Sequence, residues 1–461
     1  MHSRLLCAVA FAVALAAPHA ARAQDSELSK IREEIRQLKE AYEKRIEALE
    51  QRLQETEARA GKNPEPAPAQ SGAGSAGGNA FNPDVSLILQ GTLARSSRDP
   101  AAYRISGFVP SGGEVAPPRR GLSLSETELV LSANVDPYLR GHLAAALTPD
   151  NQVEVEEAYF QTLALGRGLT LKGGRFLSGI GYQNEIHQHA WDFQDAPLAY
   201  KAFLGGRLND DGLQLKWLAP TDLFAELGAE LGRGRTFPAT DRNRNTAANA
   251  WSLFGHVGGD IGASTAWRAG ISRLGASPRE RGYDDVDSTG TSVRDSFSGT
   301  TRLWVVDGVL KWAPEGNATQ TSFKLQGEYF RRNENGALTY DAQAASLGTQ
   351  SGSYRSRQSG WYLQGVYQFM PQWRAGYRYD RLNAGAAGIG LVDSGVLSAA
   401  DFPVLRGYNP KRNTFMLDWS PSEFSRFRLQ FARDYSRAGE RDNQVLVQYI
   451  MSLGAHGAHK F

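Results

Sequence analysis

Asn443 to Leu453 reads NQVLVQYIMSL, and a short Gly/His stretch then carries the chain to Phe461. Val445, Val447, Tyr449, Met451 and Leu453 fall on one face of a strand, because successive side chains of a strand point to opposite sides. Alternating apolar residues running into a terminal aromatic are the pattern of the closing strand of a bacterial outer-membrane β-barrel. That pattern sets the solvent: the apolar side of this chain is expected to face lipid, and Phe461 is its candidate assembly signal, read by the barrel-assembly machinery.

Working back from this strand, fifteen more segments read as strands. They lie at 84–94, 121–134, 138–147, 152–164, 168–178, 211–218, 222–231, 250–260, 264–274, 301–313, 319–331, 358–369, 371–382, 412–420 and 423–434. Several alternate clearly. Leu213, Leu215 and Trp217 oppose Gln214 and Lys216; Leu227 and Ala229 oppose Glu226 and Glu230; Phe427, Leu429 and Phe431 oppose Arg426, Arg428 and Gln430. The segments at 121–134, 152–164 and 168–178 alternate poorly, as a bulged strand would. Tight connections such as Asp136-Pro137, Ala219-Pro220-Thr221 and Ser420-Pro421 separate long links at 95–120, 179–210, 232–249, 275–300, 332–357 and 383–411. Short periplasmic turns and long outer loops are the barrel rule, and an even strand number leaves both chain ends on the periplasmic side. The predicted fold class is therefore all-β: a 16-stranded antiparallel transmembrane β-barrel over 81–461, preceded by a helical coiled coil.

The segment before the barrel divides in three. Arg4, the apolar run Leu5 to Ala17 and the Ala21-Arg22-Ala23 site read as a signal peptide over 1–23. Cys7, the only cysteine, lies inside it, so the mature chain has no disulfide. From Leu28 to Thr56 apolar positions recur at heptad spacing with one stutter at Tyr42, which predicts a periplasmic coiled coil over 24–60. Residues 61–80, rich in Pro and then in Gly, Ser and Ala, form a flexible linker.

Composition narrows the class further. Without Arg4 and Arg22 the 51 Lys+Arg fall to 49, equal to the 49 Asp+Glu, so no charge argument for nucleic acid exists. No G-x-S-x-G, H-E-x-x-H or phosphate-binding glycine loop is present, which leaves no catalytic motif and no cofactor to assign.

Gly174-Arg175-Phe176, followed by Gly181 and Glu185, resembles the strand-to-loop signature of the phosphate-selective porin O and P family. The resemblance implies a sixteen-stranded homotrimeric outer-membrane porin whose third outer loop folds into the lumen and narrows it. The chain departs from that family where selectivity is set. Loop 179–210 carries Lys201 and Arg207 but also Glu185, Asp192, Asp195 and Asp210. The candidate pore-lining and constriction residues are Arg175, His187, His189, Lys201 and Arg207 at this loop, with Arg374, Arg378, Arg426 and Arg428 on one wall and Glu226 and Glu230 on another. Rings of Arg on a lumen wall favour anions; the competing role is a set of salt bridges that brace the barrel. His187-x-His189 with Asp192 offers half of a metal site but no third ligand, so no metal is assigned. The expected function is passive diffusion of small polar or anionic solutes, phosphate-like ones included, through an outer-membrane channel. The alternative is an envelope tether or adhesin whose barrel anchors the coiled coil, with peptidoglycan as its candidate partner.

Overall fold

The computed structural model describes residues 83–112, 115–240 and 248–454. The signal peptide, the coiled coil, the linker and Phe461 lie outside these residues.

The strands form a closed antiparallel barrel. In chain order they are β1 (Asp84–Ser96), β2 (Gly121–Leu124 and Thr127–Asn134, broken at Ser125-Glu126), β3 (Leu139–Leu147), β4 (Val153–Thr162), β5 (Leu169–Leu177), β6 (Asn209–Leu218), β7 (Phe224–Gly232) and β8 (Ala250–Ile261). There follow β9 (Thr265–Ala276), β10 (Ser292–Trp312), β11 (Ser322–Tyr340), β12 (Gln350–Met370), β13 (Trp373–Asn383), β14 (Lys411–Ser422), β15 (Ser425–Asp434) and β16 (Asp442–Gly454). Each pairs with the next, and β16 pairs with β1 from Ser86↔Gly454 to Ser96↔Gln444, which closes the ring and leaves no free edge. All sixteen predicted strands are present.

Alternation decides which side meets which solvent. Leu213, Leu227, Leu253, Ile271, Val306, Leu363, Phe415, Leu429 and Val447 are exposed, while the residues on either side of each are buried or half-buried. Trp373, Trp419, Phe427 and Tyr449 are successive register partners near the tight-turn end of β13–β16, and their rings stand 6.0, 5.5 and 4.6 Å apart. An apolar outer band edged by aromatic rings is the exterior of a membrane-spanning barrel. No described helix is long and apolar enough to cross a membrane.

Two long links predicted as loops are strand. β10, β11 and β12 run 21, 19 and 21 residues, and Arg281–Val286 pairs with the far end of β10. Segments 275–300 and 332–357 are thus largely a sheet extension beyond the apolar band. They read as loops because Arg, Asn and Ser replace the outward apolar residues once the strands leave the membrane. In this extension Asp295 and Asp285 are buried. Burial, with the charge of Asp285 near Asp295 and that of Asp287 near Asp285, pushes Asp295 up to about 7 and Asp285 up to about 6.

The three poorly alternating segments have local causes. β2 breaks at Ser125-Glu126. In β4 the register to β3 slips so that Ala144 faces Glu157 and Ala145 faces Val155, leaving Glu156 as an extra residue. Gly174 in β5 has φ +124°, and a Cβ there would meet the Ala158 carbonyl.

Candidate functional site

Loop 179–208 crosses the barrel: it joins β5 to β6, and its side chains reach β13 and β14, eight strands round the ring. On one side His187 and His189 contact Glu128 of β2. On the other Asp195 contacts Arg378 of β13 and Arg412 of β14. Between them the helix α1 (Leu198–Leu204) is buried along its whole length and ends at Gly205 in the left-handed region, where its N–H returns to the Tyr200 carbonyl. The loop is too apolar to stand in water. Its Trp191, Leu198, Tyr200, Phe203 and Leu204 form one core with Phe254, Leu303, Val305, Phe330 and Leu382 of the barrel wall and with Ile105 and Phe108 of the first long link.

Polar wall residues satisfy the loop's backbone, which a buried loop requires. Glu328 accepts from Gln183 N–H at 3.0 Å and from the hydroxyls of Tyr200 and Tyr362 at 2.9 and 2.6 Å. Glu230 accepts from Gly179 N–H at 2.8 Å, Asp380 from Leu198 N–H at 2.8 Å and Gln430 from Gln194 N–H at 2.9 Å. Asn184 holds the two ends of the loop together through the carbonyls of Ser178 and Leu208.

The basic wall divides by exposure. Arg378 and Arg428 are buried and engaged: Arg378 donates to Asp195 Oδ1 at 2.8 Å, and Arg428 to Asp418 Oδ1 at 2.8 Å and to the Trp191 carbonyl at 2.9 Å. Lys201 Nζ lies 2.9 Å from Asp195, which therefore faces Lys201, Arg378 and Arg412 together. Toward the tight-turn end the side chains of Lys324, Arg374 and Arg426 keep 23, 25 and 27% of their surface exposed. Lys324 and Arg374 bracket Asp192 at 2.9 and 3.3 Å, while Arg426 lies 4.0 Å from Asp418, and its Nε and one terminal nitrogen have no hydrogen-bond partner. Lys311 faces Lys324 in register.

The acidic wall lies elsewhere. Glu226 pairs with Lys216 at 2.8 Å and with His256 at 3.3 Å, and Glu230 is spent on Gly179 and Ser178. Arg207 reaches Glu126 and Glu156, each at 3.1 Å. Arg175 is paired with Asp211 at 2.6 Å, two residues from the exposed Leu213 and so on the outward parity of β6. The structure therefore gathers His187 and His189 against β2 and β4, and Lys201 with Arg378; Arg374, Arg426 and Arg428 cluster on Asp418, while Arg175 stands apart. Residues missed by sequence reasoning are Glu128, Glu156 and Glu157, which meet His187, and Arg412, which holds the loop; Asp380 and Glu328, read from the sequence as inward carboxylates, also hold the loop. Irregular alternation in β2 and β4 was the available signal for the first group.

No family model matches the chain. A loop-deletion mutant of OmpT, an outer membrane protein of Vibrio cholerae, is similar in structure at 12% identity and TM-score 0.50, over 81% of this chain and 100% of that one. That likeness concerns the barrel fold alone. An anion-selective porin from Comamonas acidovorans superposes with TM-score 0.47 at 12% identity, over 81% of this chain and 99% of its own. In sequence, an uncharacterized protein of Aquifex aeolicus (strain VF5) is 30% identical over 407 residues, 83% of this chain and 80% of its own length. The chain belongs to one family with that Aquifex aeolicus protein.

Proposed function

We propose that the chain is an outer-membrane porin that lets small polar or anionic solutes diffuse passively, with loop 179–210 narrowing its lumen, and that it assembles as a homotrimer. The observation that carries this reading is the basic band toward the tight-turn end of the lumen. Lys311, Lys324, Arg374 and Arg426 stand at similar height on β10, β11, β13 and β15, and the last three retain exposed side-chain surface. The acids among them, Asp192 and Asp418, have side chains only 7 and 0% exposed. Cationic surface thus faces the water path while the carboxylates hold it from behind, an arrangement that favours anions. Lys324 and Arg374, each about a quarter exposed, border the water path together with Arg426, whose Nε and one terminal nitrogen are buried without a hydrogen-bond partner. Arg378, Arg428 and Lys201 act as bolts of the loop, and His187, His189 and Arg207 hold its other limb. Phosphate is one candidate solute among small oxyanions.

The test is conductance and reversal potential of the purified protein in a planar bilayer under a salt gradient. Currents with an anion-selective reversal potential are expected, with Arg426→Ala reducing the selectivity. No current from folded protein would sink the channel reading. A second reading, a membrane anchor for the segment over 24–60, is favoured by the apolar core that loop 179–208 builds across the lumen, and it is what an absence of current would leave.

A further inference from the structure

We propose that Glu128, His187 and His189, with Glu156 beside them, form a binding site for a divalent first-row transition ion such as Zn²⁺, which bolts the His limb of loop 179–208 to β2 and β4. The two histidines stand two residues apart with rings 5.8 Å apart and 30° from parallel, so both present Nδ1 to one carboxylate. His187 Nδ1 is 3.0 Å from Glu128 Oε1, His189 Nδ1 is 3.0 Å from Glu128 Oε2, and Glu156 Oε2 is 3.5 Å from His187 Nδ1. Nitrogen and oxygen donors about 2.0–2.2 Å from one ion stand roughly 3 to 3.5 Å from each other, and two imidazoles with carboxylates suit zinc and its neighbours.

Two further observations point to a cation. The first is an unmet polar demand. Glu128 is 1% exposed, yet its Oε1 and the His187 Nδ1 have no hydrogen-bond partner despite their 3.0 Å separation. The other atoms of the same groups are hydrogen-bonded, Glu128 Oε2 with His189 Nδ1 at 3.0 Å and His187 Nε2 with Glu157 at 2.9 Å, which leaves this one facing pair unmet. The second is charge. Glu126, Glu128, Glu156 and Glu157 converge here; Arg207 bridges two of them, and Lys172 lies near Glu157. With both imidazoles neutral, as metal ligation requires, four carboxylates against two cations leave two negative charges, which one divalent ion neutralises. The local backbone is built for this convergence, since the extra residue in β4 lets consecutive Glu156 and Glu157 both reach His187. The third ligand that the His-x-His spacing lacked comes from a strand about sixty residues earlier in the chain.

The test reads metal and does not need current, so it stands apart from the channel reading. Full-length protein, stripped with chelator and dialysed against Zn²⁺, is assayed for bound zinc by mass spectrometry and titration calorimetry. About one equivalent per chain is expected. The His187→Ala/His189→Ala variant, checked for folding by β-sheet circular dichroism and heat-modified gel mobility, is expected to bind at least 100-fold more weakly. Glu128→Gln, which keeps the shape and removes the charge, is expected to weaken binding tens-fold. His456→Ala/His459→Ala is expected to leave it unchanged. No zinc retained by the wild-type protein, or equal retention by the folded double-histidine variant, overturns the proposal.

Discussion

Asp195→Asn tests whether the loop is held by charge. The carboxylate lies 2.6 Å from Arg412, 2.8 Å from Arg378 and 2.9 Å from Lys201, whose side chains are 1, 0 and 2% exposed. Asparagine keeps the volume but leaves these three buried cations with one negative charge fewer. Removing one partner of a buried ion pair costs about 3–5 kcal/mol, because the remaining charge stays desolvated. The cost falls on the docked loop and not on the strand ladder, which Asp195 does not join. The loop's opening equilibrium should therefore rise by about two to three and a half orders of magnitude, at roughly 1.4 kcal/mol per decade. Amide hydrogen exchange over α1, with protection compared between wild type and variant, reads this directly. Asp192→Asn is the internal control. Its partners Lys324 and Arg374 are about a quarter exposed, so water screens the loss and the change should be nearer 1 kcal/mol. Equal protection of α1 in wild type and Asp195→Asn, or a larger effect from Asp192→Asn, would refute the view that buried charge bolts the loop.

Three other outcomes follow from the geometry. Leu429→Arg, at a position 48% exposed in the outer apolar band, should destabilise the membrane-inserted barrel by about 2–4 kcal/mol if it lies near the midplane, measured by urea unfolding in vesicles; a neutral effect would contradict a lipid-facing band. Arg378→Ala with Arg428→Ala takes one cation from Asp195, which keeps Lys201 and Arg412, and one from Asp418, which keeps Arg374 and Arg426, so the reversal potential in a salt gradient should move toward cations; an unchanged potential would confine both arginines to bracing. Because the folded values of Asp295 and Asp285, about 7 and about 6, lie above the ordinary carboxyl value, the folded extension binds more protons than the unfolded chain. Its stability is full below about pH 4, declines as pH rises and is lowest above about pH 7; amide exchange over 283–297 should quicken across that window, and protection that grew with pH would reverse the sign.

The barrel was legible because lipid and lumen impose a period of two on every strand. Leu213-Gln214-Leu215-Lys216-Trp217 and Phe427 to Phe431 announce it locally, and such segments, with turn spacing bridging the three that alternate poorly, sufficed for strand number and closure. Loop 179–208 was legible as a segment needing burial, since Trp191, Phe193 and Phe203 cannot stay in water. Its partners were not legible, because they come from strands 30 to 237 residues away whose inward polar residues look alike in sequence: nothing local separates Arg378, fully buried against Asp195, from Arg426, whose side chain stays 27% exposed.

Alternation and turn spacing along the chain thus determined the sheet, its strand number and which face meets lipid, because each depends on neighbours in sequence. Tertiary structure decided which lumen charges are consumed in holding the loop and which stay exposed. It also decided that His187 and His189 meet Glu128, because closing the ring and folding the loop across it set the distances between residues that share no local pattern.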